Sequence, residues 1–328
     1  MMNIIKLITP RSLGLVVFGV LAALPAFANN YWLFVGNLTL VYIVLTVGLN
    51  LLIGYSGLLA FMNGILFGVG AYATAILRVD FSLSYGLAIP LAAVFTMVIG
   101  VIVALPALRL SGLYLALATV AFAQFILWVL LHWDQVTRGP SGIQVPPVNY
   151  APLTDTFENG HYYLTLVVAF IIVWLTVNLL RSHYGRAFVA VRESEVAAES
   201  IGIDLTRYKT LAYAVSALYA GLAGGLFAPL LGIVVPESFD LSQVIVQFAM
   251  VTVGGLGSIA GSVIGAIGLV WLQESLRAFK ELQEVAFGGM ILLTILFFPG
   301  GVSAMLKKWL PSWREPLRRR LLDHHEHD

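Results

Sequence analysis

Long apolar runs, broken by short polar stretches, dominate this chain. No Asp, Glu, Lys or Arg occurs between Arg11 and Arg78, between Asp80 and Arg109, between Arg109 and Asp134, or between Glu158 and Arg181. The same holds from Lys209 to Glu237, from Asp240 to Glu274 and from Glu284 to Lys307. A helix crosses the hydrocarbon core of a bilayer with roughly 20 apolar residues. The runs therefore predict about ten spans, near 13–28, 32–53, 58–77, 85–107, 112–133, 162–180, 210–235, 243–257, 259–276 and 285–305. The expected fold is an all-α polytopic membrane protein, with residues 1–308 as the transmembrane domain and 309–328 as a polar tail.

Composition agrees with the pattern. Of 328 residues, 59% are apolar and only 11% charged, against about 25% charged in soluble domains. Basic residues in short connections stay on the cytoplasmic side. Lys6 and Arg11 place the amino end inside, and the five basic residues of 181–209 place that loop inside. Lys307, Lys308, Arg314 and Arg318 to Arg320 do the same for the carboxyl end. The 134–161 connection then falls outside. Residues 1–28 read both as a first span and as a cleavable signal peptide, because an apolar stretch after Lys6 and Arg11 ends in Ala26-Phe27-Ala28.

Several functions are disfavoured. Ion-coupled carriers generally keep ionisable groups within the membrane, yet His132, His161, His183, His324, His325 and His327 lie at predicted span ends or in loops. An ion-coupled carrier with an uncharged site remains the competing class. A phosphate-binding GxxxxGK[ST] loop is absent, as are HExxH and GxSxG motifs. With no cysteine there is no disulfide or thiolate metal site. The terminal His-His-Glu-His-Asp run reads as a polar end rather than a metal site, and the net charge of +1 does not point to nucleic acid.

Charge concentrates instead in residues 185–209, GRAFVAVRESEVAAESIGIDLTRYK. As one short helix, this places Arg192, Glu195 and Glu199 on one side, with Arg192 able to pair with Glu195. Ala187, Ala190, Ser194, Ala197 and Ile201 form the opposite stripe. Gly202 is a stop signal and Asp204 opens the next element.

Gly185-Arg186-Ala187, Arg192-Glu193-Ser194-Glu195, Ala197-Ala198-Glu199, Gly202-Ile203 and Arg207-Tyr208-Lys209 together resemble the coupling loop of ABC importer permeases. The match is to branched-chain amino-acid permeases of the LivM type. Gly54-Tyr55-Ser56-Gly57, Asn63-Gly64, Phe67-Gly68 and Gly70-Ala71-Tyr72 are similar to that family's early glycine-rich segment. Gly254-Gly255-Leu256-Gly257 with Gly261 resembles its late one, and Phe297 to Gly301 its closing segment, where Gly300 replaces the usual basic residue.

The resemblance implies a permease subunit forming half of a pore for Leu, Ile and Val in the bacterial inner membrane. Similar permeases serve urea, short amides and other small polar solutes. It also implies a sister permease of the LivH type, two ATPase subunits and an external binding protein. ATP and magnesium would sit on the ATPases, with no cofactor on this chain. Glu195, Ala198 and Gly202 would centre the ATPase contact, with Arg192, Glu193 and Glu199 flanking it.

Asn50, Tyr55, Asn63, Gln124 and Gln247 are candidate pathway residues. The amides among them are costly in lipid, so Asn50, Asn63, Gln124 and Gln247 should face the protein interior, where interhelical hydrogen bonding is the competing role. Gly64, Gly68, Gly221, Gly225, Gly257, Gly261 and Gly265 form Gly-xxx-Gly spacings that suit close helix packing. Gly54, Gly57, Ala60 and Gly68 also align with Gly254, Gly257, Ala260 and Gly268 at an offset of 200 residues, a pattern compatible with internal duplication.

Overall fold

In a chain with few charges, helix boundaries come from small polar caps. Asn29 Oδ1 accepts the Trp32 N–H at 3.1 Å and opens α1 (Asn30–Asn50). Helices α2 (Asn63–Val79), α3 (Tyr85–Ala107), α4 (Leu113–His132) and α5 (Phe157–Arg181) follow. Ser182, Ser194 and Asp204 cap α6 (His183–Glu193), α7 (Glu195–Ser200) and α8 (Leu205–Leu231). Asp240 and Ser258 do the same for α9 (Leu241–Gly254) and α10 (Ile259–Ser275), and α11 spans Lys280–Phe297. Each cap satisfies an otherwise orphaned N–H of the first turn.

The computed structural model describes residues 18–304 except 20, 27, 108–109, 111, 151–155, 278–279 and 298–299. The Lys6 and Arg11 cluster, the start of the 13–28 segment, Arg109, Phe298-Pro299 and the basic tail with its histidines lie outside the described residues.

Five of these helices are long and apolar enough to cross a membrane: α1 with its extension to Tyr55, α3, α4, α5 and α8. Helices α2 and α10 are apolar but shorter, at 17 residues each, and α9 has 14. The predicted 58–77 span is shortened because Gly57 to Met62 form a non-helical turn before α2.

Helix α8 is the central post, packed against α1, α2 and α3. Glycines permit the approach. A methyl built on Gly70 would overlap Gly221, one on Gly221 would sit 2.8 Å from Ala93 Cα, and one on Gly225 would sit 2.8 Å from Thr74 Oγ1. At the end of the molecule away from the 181–209 loop, β1 (Ile143–Gln144) pairs antiparallel with β2 (Ile233–Val234), and Arg138 bridges Asp80 at 3.1 Å.

Two hairpins, α1–α2 and α9–α10, run in the same direction and turn at the end that carries the 181–209 loop. Their turns contain Gly57 at φ +71° and Gly257 at φ +74°. These are two of the positions paired by the 200-residue offset.

Candidate functional site

The two glycine turns meet. Helix α1 does not stop cleanly but widens into a π turn over Leu51–Tyr55. Asn50, at its start, reaches across to the α9–α10 turn. Its Oδ1 accepts the Gly257 N–H at 2.9 Å, while Nδ2 lies 2.9 Å from Ser258 O and 2.6 Å from Ser262 Oγ. Gly54 faces this amide so closely that a methyl there would overlap both Asn50 Oδ1 and Gly257 N. The closing segment joins them: a methyl on Gly301 would lie 2.6 Å from Gly255 Cα, and Ser303 abuts Gly255. All three glycine motifs therefore converge at one place.

The 181–209 loop lies against that junction. It is not the single helix expected from its pattern. Ser194 adopts an extended conformation, φ −162° and ψ 116°, and divides it into α6 and α7. The reason is local: Ser194 Oγ accepts the Ala197 N–H at 3.2 Å, so Ser194 caps a new helix and cannot continue the old one. The expected Arg192–Glu195 pair does not form. Arg192, although exposed, folds back over the junction, and its Nη1 donates to Gly54 O. Its stem covers Gly57, where a Cβ would meet Arg192 Cγ at 2.9 Å, and its guanidinium lies beside Gly257.

Glu195 pairs with Lys209 on α8, Nζ to Oε2 at 2.7 Å, with the lysine side chain only 7% exposed.

The predicted stripe of small residues is also revised. Ala187, Phe188, Val191 and Ala198 pack inward, whereas Ala197 and Ile201 face out. Ala198, 1% exposed, is covered by its own chain. Glu193, Glu199 and Gly202 are exposed, with Gly202 at φ +84° and open space where a side chain would project. Missed in the sequence is Val196, 79% exposed on α7; Ile201, which the stripe did include, is 73% exposed at the residue that ends it. Two large apolar side chains in a charged loop were the available signal.

Of the candidate pathway residues, Asn50 joins the two turns as described, and Tyr55 is buried in the π turn. Asn63 Nδ2 donates to Gln247 Oε1 at 3.3 Å and its Oδ1 accepts from Ser216 at 3.2 Å, tying α2, α9 and α8 together. Gln247 Nε2 has no partner among the described residues. Gln124 contradicts the expectation of an inward amide. It lies on the exposed face of α4 with Leu117, Phe125 and Trp128, because α4 is peripheral and turns Ala116, Thr119 and Ala123 inward instead.

His161 lies at a span end, in keeping with the sequence reading. It is fully buried in the first turns of α5, with Nε2 donating to Leu226 O at 2.9 Å and Nδ1 accepting from Tyr150 at 2.8 Å. Burial holds the Tyr150 phenol well above its ordinary pKa, which keeps it a donor.

The glycines also separate by role. Gly64 and Gly68 receive Val244 and Phe239, each 2.7 Å from where a Cβ would stand, and Gly221 and Gly225 receive α3 and α2. Gly261 and Gly265 sit against the backbone of α9. Gly257 is not on a packing stripe of α10 but in the turn before it, where its positive φ is required.

Residues 31–298 match the family model for the permease component of branched-chain amino acid transport systems. The chain belongs to this permease family. The permease is 34% identical to the LivM high-affinity branched-chain amino acid permease protein of Salmonella typhimurium, covering 84% of this chain and 71% of the relative. Identity to the LivM protein of Escherichia coli is also 34%, over 92% of this chain and 76% of the relative. A probable LivH permease protein of Methanocaldococcus jannaschii is 26% identical over 80% and 88%. No solved structure gives a significant match. The permease is a multi-pass membrane protein, and its relatives are transport subunits rather than enzymes.

Proposed function

We propose that this permease forms half of an inner-membrane pore for leucine, isoleucine and valine, moved by separate ATPase subunits that grip α7. The 34% identity to LivM proteins supports the cargo, and the likeness to a LivH protein supports a sister permease. The exposed amide of Gln124 would be costly against lipid; a sister subunit on the α4 face would satisfy it. An external binding protein would deliver substrate at the β1–β2 end, so the pore itself has no need for a tight, charged site.

One observation carries the ATPase reading. Helix α7 presents Val196 and Ile201 outward while Glu195 anchors it to α8 through Lys209. That is the form of a handle: apolar where a partner would close over it, rooted where force must pass inward. Central apolar contacts carry much of an interface's energy. Val196→Asp with Ile201→Asp should leave insertion and thermal stability of the permease unchanged while weakening co-purification with its ATPases at least about tenfold, which is about 1.4 kcal/mol. Unchanged co-purification would refute the assignment. Glu195→Lys is a poor test, since it also sets two lysines together at a nearly buried position.

A further inference from the structure

We infer that Arg192, though exposed, acts not as an ATPase contact but as the link that transmits movement of the loop to both hairpin turns at once. The inference rests on the proposed ATPase reading and extends it inward. Arg192 occupies the last turn of α6, immediately before the Ser194 break that separates it from α7. It turns towards the junction, its guanidinium donating to Gly54 O and lying beside Gly257 and its stem packed on Gly57.

Gly54 belongs to the π turn that extends α1, and Gly257 to the α9–α10 turn. Asn50 already ties those two turns to each other. One side chain therefore lies against two hairpins at once.

The chemistry suits a link that must hold and also release. A guanidinium donating to a carbonyl is a charge-assisted bond, stronger than a neutral one, but the acceptor is a backbone oxygen in a π turn rather than a fixed carboxylate. Such turns recur at functional sites because the wider ladder leaves carbonyls available. Gly57 and Gly257, both in the left-handed region, let the long side chain lie flat against the turns. A Cβ at either position would stand 2.9 or 3.1 Å from it. Helix α7 follows a different route, through Glu195 and Lys209 to the central post α8. The loop is thus rooted both in the post, where Phe188 of α6 also packs on Tyr208, and in the hinges.

The test separates transmission from attachment. Arg192→Met keeps the stem and removes the donors, whereas Arg192→Lys keeps a cationic donor. In the full importer, reconstituted in proteoliposomes, Arg192→Met should assemble and hydrolyse ATP yet import at least tenfold less leucine per ATP. Arg192→Lys should restore most of that ratio. A ratio within twofold of the unaltered permease in Arg192→Met would overturn the link. So would loss of ATPase binding in Arg192→Met that Arg192→Lys restores, because Arg192 would then be a contact. Failure of the unaltered permease to bind any ATPase would instead refute the proposed function itself.

Discussion

Asn50 and Arg192 both bind the same pair of turns, and they do so with different physics. Asn50 is 1% exposed and uses both ends of its amide, so removing it leaves the Gly257 N–H without its acceptor, while Ser258 O keeps its bonds from Ser262. A buried group left unpaired costs about 1–3 kcal/mol. Asn50→Ala should lower the unfolding free energy of the purified permease by about that much, seen as a reduced midpoint in a detergent thermal-shift assay. Asn50→Asp should be worse than Asn50→Ala, since it keeps the acceptor but turns a carboxylate towards Ser258 O. If Asn50→Asp is the milder change, the amide is not oriented as described. Asn50, Asn63 and Gln247 were legible as buried amides from sequence because lipid offers them no partner. The Arg192–Gly54 contact was not legible: the two residues are 138 positions apart, and a nearby Glu195 offered an obvious but unused partner.

At the scale of elements, the positions of the long helices could be read from charge-free runs, but the breaks within them could not. Gly57 to Met62 is as apolar as its flanks, so hydropathy shows no boundary. The turn is held from elsewhere, by Thr119 Oγ1 of α4 accepting the Phe61 N–H at 3.1 Å. The division of α6 from α7 did have a local signal, since Ser194 followed by Glu-Val-Ala is a helix start inside a helix. Gln124 was misdirected for a different reason. A helix apolar on all sides gives no direction for its inward face, and only packing decides it. The glycines give a direct test of this packing. Gly221→Ala places a methyl 2.8 Å from Ala93 Cα, whereas Gly268→Ala on α10 meets nothing within 4 Å. The first should cost about 1–3 kcal/mol by overpacking, while the second should be neutral or gain up to about 1 kcal/mol of helix propensity. Thermal-shift midpoints moving in the same direction for both would show that glycine spacing, not the close approach of α8 to α3, determines stability.

For the whole molecule, the arrangement divides labour between ends. The loop end gathers the three glycine motifs, the two-part loop and its two roots; the other end carries β1–β2 and the Arg138–Asp80 pair. Between them, α8 forms the central post on which α1, α2 and α3 pack. The sequence has no phosphate-binding loop; if separate ATPases drive the permease as proposed, the energy for displacing the hairpins enters through α7. The most direct measurement is leucine accumulation in proteoliposomes containing either this permease alone or the permease with its sister subunit, ATPases and binding protein. Accumulation only in the complete set and only with ATP is the predicted result. Concentrative uptake by the permease alone, under an ion gradient and without ATP, would contradict the account.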